Sequence, residues 1–447
     1  MACSVEVRAR LKTEEKSNAI NASGETSWYP TDNAGKIFAS LNSWQLQSTF
    51  RVSAGLKQHV QIERLESALE RTVRRFPLFQ TRVKPGFFWY YFEPNGATPP
   101  IQPDSKFPLG EAFSGKGRGH PWRIRVYHRT VALDCAHVLT DGSGALTFLN
   151  TLLAEYLNYQ GPRDPAVGLL DVEERPHPEE LENAFPKQFQ SGLPAFKHES
   201  RACQLSLDAD KPGVRHVTCG RVSASLLREK AKVAGASVGE YLNAAYLEAL
   251  QGSVLEKTNG ALHKVSGPIR IDVPVNLRPV FPSRSLRNFF LTVFVAIDPR
   301  LGEWSFEEIL EAVHHQMRLQ RSPRLYRQII SRNVGSERSF FLRHLPLAVK
   351  NMLMPWIFQK WNLRWTTSSL SNLGMLKLPV EMADGIERFD MLPTHPASRS
   401  IGCGVIGFGD KISITFNRTA IEPIVERLFF RGLRNKGIPV SIETNEG

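Results

Sequence analysis

The chain has 447 residues, longer than one ordinary domain, and its 42% apolar and 22% charged residues exclude a fibrous or broadly disordered protein. Fifty-six basic against 44 acidic residues leave a net charge of +12. That excess suits nucleic acid, anionic lipid, an acidic carrier protein or a phosphate-rich cofactor, and it equally suits a basic surface with no partner.

In chain order, residues 1–25 are polar with few apolar anchors and read as a flexible leader. Gln47–Gly55 predicts a strand. A helix follows over Ile62–Phe76, with Ile62, Leu65, Leu69, Val73 and Phe76 at helical spacing, and Pro77 ends it. Phe87–Phe92 is an unbroken aromatic run and predicts a strand. Trp122–Tyr127 and Val131–Ala136 predict a hairpin whose second strand carries Val131, Leu133, Cys135 and His137 on one face. A helix then runs from Gly142 to about Tyr159, with Ser143 as the expected N-cap.

Residues 161–213, rich in Pro, Glu and Lys, read as a linker or crossover. It divides a unit over 26–160 from another over 214–447. In the second unit helices are expected near Ser225–Val233, Ser237–Gln251 and Glu422–Asn435. Strands are expected at Ile269–Val275, Phe289–Ile297, Thr366–Ser371, Gly402–Phe408 and Ile412–Asn417. Strands alternate with helices in both halves, which predicts an α/β protein of α+β layers.

The run His137-Val138-Leu139-Thr140-Asp141-Gly142 carries the chemistry. A histidine at a strand exit is held by a rigid element, and its ordinary pKa near ~6.5 suits taking and returning a proton. Asp141 lies around a turn, placed to fix the loop through an arginine or backbone N–H groups. Gly142 and Gly144 permit a tight turn and close approach of a ligand. The local pattern fits equally a hydrogen-bonded histidine beside an Asp-Gly turn.

Strand, HxxxDG and apolar helix in that order resemble the CoA-dependent acyltransferase superfamily, built on the chloramphenicol acetyltransferase layout. It includes alcohol acyltransferases, the plant BAHD enzymes, wax ester synthases and peptide-synthetase condensation domains. Further runs carry the resemblance: Ile62–Arg82, Ile271–Arg278, Leu286–Phe290 and Ser371-Asn372-Leu373-Gly374. It covers most of the chain and is closest to bacterial alcohol acetyltransferase-like members.

The resemblance implies two sandwich-like subdomains forming a pseudo-dimer with the active site at their interface. It implies His137 as general base and acyl-CoA as co-substrate, with no permanently bound cofactor. It also implies a small alcohol or amine acceptor, with an acyl carrier protein as the alternative donor. A non-catalytic binding member of the fold is the alternative to an enzyme, and intact His137 and Asp141 argue against it. Asp141 is expected to pair with Arg278, and Gly142 and Asn288 to support the site. Ser371 and Asn372 are the oxyanion or substrate candidates. Ala136 stands where condensation domains carry a first histidine, and Gly407-Phe408-Gly409 only partly matches the BAHD Asp-Phe-Gly-Trp-Gly run. The first departure favours the alcohol-acyltransferase side, and the second argues against a close BAHD relationship.

Other features carry less. His314-His315 are adjacent on a predicted helix and face different ways, so no metal site is expected. Five scattered cysteines without a CxxC pair suggest neither a disulfide framework nor a zinc ribbon. Met1–Asn33 lacks the apolar core of a signal peptide, and no apolar run reaches the ~18 residues of a spanning helix. The expectation is therefore a cytoplasmic protein for which a monomer suffices. Arg318–Lys350 holds seven arginines and Lys350 against the single acid Glu337. It suits CoA phosphates, an acidic carrier or a solvated face. Leu345–Trp365 is basic and amphipathic; a kinked helix at Pro355 lining an acyl pocket is favoured over membrane contact. No nucleic-acid-binding module is present.

Overall fold

The computed structural model describes residues 28–40, 48–97, 99, 101–109, 119–194, 200–205, 207–357, 363–394 and 400–446; the leader expected over 1–25 lies outside them. In chain order the first half forms β1 (Tyr29–Pro30), α1 (Asn33–Ser40), β2 (Thr49–Leu56), α2 (Ile62–Arg75), β3 (Thr81–Pro85), β4 (Tyr90–Pro94), β5 (Ile101–Pro103), β6 (Trp122–Tyr127), β7 (Thr130–Ala136) and α3 (Gly142–Tyr156). Three short 3-10 turns lie between Pro165 and Gln188. The chain continues through β8 (His216–Ser223), α4 (Ala224–Val233), α5 (Val238–Thr258), β9 (Ile269–Asn276), β10 (Phe290–Ile297), α6 (Phe306–Gln320), α7 (Pro323–Arg338), α8 (Phe340–His344) and α9 (Leu347–Ile357). It ends with β11 (Ser368–Leu376), α10 (Val380–Ala383), β12 (Ile386–Leu392), β13 (Ile401–Phe408), β14 (Lys411–Arg418), α11 (Ile424–Asn435) and β15 (Ser441–Thr444).

These elements make an α/β protein with two main sheets. One has five strands in the order β12-β2-β7-β6-β5, the other seven in the order β10-β9-β11-β13-β14-β8-β15; β1, β4 and β3 form a small third sheet. Local chemistry accounts for many element ends. Ser237 and Ser305 each form a capping box, with Glu240 and Glu308 respectively, at the starts of α5 and α6. Phe76 caps α2 and Pro77 follows, as the sequence predicts.

The aromatic run Phe87–Phe92 departs from expectation in its first half, for only Tyr90–Phe92 lie in a strand. Phe87, Phe88 and Trp89 form the bend between β3 and β4 rather than a strand, closed by Gly86 N–H donating to the Trp89 carbonyl at 3.0 Å. Trp28 to Ser40, to which the sequence assigned no element, supplies β1 and α1.

Each main sheet has its own core. In the first, Leu65 and Leu69 of α2 and Phe148 and Leu152 of α3 are buried in one cluster with Phe50, Val52 and Leu133. Burying one such side chain stabilises by roughly 1.5–3 kcal/mol. The other row of β7 is buried too, because Asp134 accepts from Arg51 Nε (2.6 Å) and Arg123 Nε (3.0 Å). Arg75 at the end of α2 donates through both terminal nitrogens to Glu180, at 2.7 and 2.8 Å, and so ties the 161–213 segment onto the first half.

The halves exchange structure. β12, late in the chain, pairs antiparallel with β2 at the edge of the first sheet, Phe389 opposite Ala54 and Met391 opposite Val52. Ile386, Phe389 and Met391 are buried in the first half's core. Phe389→Ala is therefore expected to cost about 3–5 kcal/mol, read from the urea midpoint. A cost below about 1 kcal/mol would show that β12 does not complete that core.

Candidate active site

His137 is the first residue beyond β7, and its backbone is held on both sides. Its N–H donates to the Ser48 carbonyl at 2.8 Å, and its own carbonyl accepts from Asn288 Nδ2 at 2.8 Å. The imidazole stacks on Phe38 (centroids 4.7 Å apart), tilts against Phe50 (4.4 Å) and faces Phe290 (5.9 Å). Burial among these rings pushes its pKa down to about 4, against the opposing pull of Asp141, Asn288 and the Thr140 backbone. The imidazole is thus neutral at physiological pH. Nδ1 is buried without a hydrogen-bond partner, which leaves Nε2 as the nitrogen available to a ligand.

Asp141 serves structure on both oxygens. Oδ1 accepts from Ser143 N–H and Gly144 N–H, each at 3.1 Å. Oδ2 accepts from Arg278 Nη1 at 2.8 Å and from Phe289 N–H at 2.9 Å. Asp141, not Ser143, is the N-cap of α3. The aspartate reaches back to the first free N–H groups of its own helix, so the serine expected in that role lies inside the helix. The Asp141–Arg278 pair is present, and the guanidinium also donates to the carbonyls of Ser285 (2.9 Å) and Arg287 (2.6 Å).

The motif glycines act through space rather than through left-handed backbone, for neither has a positive φ. A Cβ on Gly144 would stand 2.1 Å from Thr140 Oγ1 and 2.2 Å from the Leu286 carbonyl oxygen. On Gly142 it would meet only the Leu373 side chain, Cδ2 at 2.6 Å.

Asn288 leads to a residue that the sequence reading passed over. Its Nδ2 also donates to Asp32 Oδ2 at 3.1 Å, and its N–H to the same oxygen at 3.2 Å. Asp32 is fully buried. Burial raises its pKa, and the Arg287 guanidinium (Nε 3.5 Å from Oδ2), Gly35 N–H and Asn288 oppose the rise. Asp32 thereby docks α1, and with it Phe38, beside the imidazole. The local signal was a helix start, Thr31-Asp32-Asn33 before Ala34-Gly35, but nothing nearby identifies its partners.

A cavity of about 620 Å³ opens over His137 and is lined from both halves. Ser371, Asn372, Asp141 and Gly142 share its wall with His137; Asn288 and Arg278 stand behind it. Asn372 Oδ1 accepts from Gly374 N–H at 2.8 Å, leaving Nδ2 as the donating end of that amide. Phe294, Ile329 and Met354 give apolar wall, and Arg270, Asp272 and Thr366 a polar patch. Cys135 is buried in the core, and burial raises its thiol pKa. His314 and His315 lie beside Glu240 and Glu311 respectively. Among the described residues no group of three or more His, Cys, Asp or Glu is placed to hold a metal ion.

No family model and no curated protein matches the sequence. Solved structures do. The F. graminearum TRI101 complex with coenzyme A and deoxynivalenol aligns with a TM-score of 0.60 at 12% identity, covering 92% of this chain and 99% of that one. The wax ester synthase/diacylglycerol acyltransferase from Marinobacter aquaeolei VT8 gives 0.53 at 13%, covering 91% and 100%. The nonribosomal peptide synthetase FmoA3 gives 0.55 at 17%, covering 92% of this chain and 42% of that one. The chain has the fold of the CoA-dependent acyltransferases. In this fold the two-subdomain layout, similar to chloramphenicol acetyltransferase, leaves the cavity between the halves, where His137 stands.

The unequal surroundings of the two glycines are testable. Gly144→Ala, blocked by a backbone carbonyl, is expected to destabilise by about 3 kcal/mol or more, and Gly142→Ala, facing a flexible leucine, by under about 1.5 kcal/mol. Equal urea midpoints for the two variants would contradict the packing around Asp141.

Proposed function

We propose that the protein is an O-acyltransferase that moves a short, acetyl-like acyl group from acyl-CoA to an alcohol, with His137 as general base and no covalent acyl-enzyme. CoA enters and leaves as co-substrate, and no bound cofactor is needed. The observation that carries this reading is a neutral imidazole caged at the cavity between the halves while Asp141 is committed to holding backbone and Arg278. A base with no charged partner on Nδ1 suits brief proton storage better than formation of a persistent ion pair.

In the proposed reaction His137 Nε2 takes the acceptor's hydroxyl proton as the oxygen attacks the thioester carbonyl. The C–O bond forms and the carbonyl π electrons move to oxygen. Ser371 Oγ and Asn372 Nδ2 are the candidate donors to that oxyanion. Collapse breaks the C–S bond, and the departing thiolate recovers the proton from the imidazolium. Ester and free thiol result, with His137 neutral again. The likeness to FmoA3 favours a second donor, a phosphopantetheine thioester on a carrier protein, used with the same base.

The test is thiol release from acetyl-CoA, and from an acetylated carrier protein, across a panel of alcohols and amines. Acceptor-dependent release is expected, falling about 10²–10⁴-fold in His137→Ala and about 10²-fold in Ser371→Ala. Release unchanged in folded His137→Ala, or absent with both donors, would refute the proposal. The pH profile gives an independent check, because protonation disables the base. With the pKa at about 4, kcat/KM is expected to stay level as pH falls through ~6.5, the ordinary histidine value, and to drop only on approach to 4. A half-loss near ~6.5 would show that the aromatic cage does not act on the imidazole.

A further inference from the structure

Three apolar side chains of helix α9 face outward, while Leu347 at its start is buried and Met354 lines the cavity. Met352 and Trp356, one turn apart, are 70% and 56% exposed, and Leu353 beside them is 37% exposed. Its polar residues point inward. Lys350 Nζ donates to the Phe88 carbonyl at 2.8 Å and sits 3.4 Å over the Trp89 ring, and Asn351 Nδ2 donates to Tyr90 Oη at 2.9 Å. A helix on a water-facing surface does the reverse.

The bend between β3 and β4 continues this face. Phe87 is 72% exposed, and its carbonyl accepts from Leu347 N–H at 2.8 Å, which locks the bend against α9. The Phe88 ring stands edge-on to His344 (6.1 Å), whose other neighbour is Phe340 (4.2 Å), itself 79% exposed. Single exposed apolar side chains are ordinary, but a connected set of this size marks a contact surface.

Charge indicates what covers it. The chain from Arg318 to Arg343 carries seven arginines against one acid, Glu337. Arg343 and His344 are exposed on the short helix that carries Phe340, whereas the exposed Arg338 guanidinium lies over the Phe189 ring. Protruding aromatic and thioether side chains within a cationic rim match a bilayer with anionic headgroups, in which the rings enter the acyl boundary and the arginines meet phosphate. A second copy would set the same cationic rim against itself. Among the described residues no helix is long and apolar enough to cross a membrane, so contact of this kind lies in the plane of one leaflet.

We propose that α9, with Phe340 and the Phe87–Phe88 bend, is a docking face for an anionic lipid bilayer. The same elements supply Trp89, Leu342 and Met354 to the cavity wall. On the acyltransferase reading above, an apolar acceptor dissolved in the bilayer thus enters the cavity without crossing water.

The test is co-sedimentation of the full-length protein with phosphatidylcholine vesicles, with and without about 30 mol% phosphatidylglycerol. It needs no turnover, so it stands or falls separately from the acyl-transfer reading. Wild type is expected to bind the anionic vesicles and to be released by high salt. The solvent-facing double variant Met352→Glu/Trp356→Glu is expected to bind roughly tenfold more weakly or worse, Phe87→Glu on a separate element to weaken binding as well, and Trp356→Phe to retain it. No binding by wild type, or binding by both glutamate variants as strong as that of wild type, would overturn the proposal. A wild-type dimer in light scattering that Met352→Glu/Trp356→Glu splits would overturn it too, by assigning the face to a second copy.

Discussion

Asp141 accepts four hydrogen bonds on two oxygens, and the shape of the cavity floor follows from where the donors come. Two are N–H groups at the start of α3, one is the backbone of Phe289, and one is the Arg278 guanidinium. A buried carboxylate stripped of such donors costs several kcal/mol, so removing any donor leaves the rest under strain. The helix of the first half and the strand entry of the second are therefore set by one side chain. Such a residue cannot be exchanged with its arginine partner, because an arginine at 141 would cap nothing and would face three N–H donors. That makes a charge swap a poor probe of the pair.

A second tie runs parallel. Asn288 bridges the His137 carbonyl to Asp32, and Arg287 offsets the Asp32 charge. Buried ion pairs of this kind add little net stability compared with apolar packing, but they permit few alternative arrangements. Here they place α1, and so Phe38, against one face of the imidazole. Phe50 and Phe290 come from a strand in each half. The basicity of His137 is consequently a tertiary property, made by three rings from three parts of the chain.

The polar junction and the apolar surroundings divide the work. Hydrogen bonds fix the histidine's backbone and the helix start, while apolar and aromatic side chains shape the space above the ring. Helix α9 adds Met354 to the cavity wall, whereas Met352, Leu353 and Trp356 on the same helix face outward. Chemistry at the junction and the surface at the cavity's edge are thus linked through one short helix.

The sequence by itself determined the elements whose signals lie within a few residues. Ile269–Val275, Phe289–Ile297, Gly402–Phe408 and Ile412–Asn417 were legible to within a residue or two, because each is a dense apolar run bounded by breakers. The α/β class and the ordered motifs followed from the same local patterns, as did His137 at a strand exit. Phe87–Trp89 misled because aromatic content mimics strand propensity, whereas Gly86 and the docking of α9 bend the chain there; Tyr90–Phe92 are strand as expected. Only the tertiary structure decided that β12 completes the first sheet, that Asp141 rather than Ser143 caps α3, and that Asp32 belongs to the site. Arg278 reaches Asp141 across 137 positions and Asn288 reaches Asp32 across 256. Periodicity and capping patterns encode interactions along a helix or strand; contacts at such separations arise only once two hydrophobic cores have packed and the buried polar groups between them must find partners.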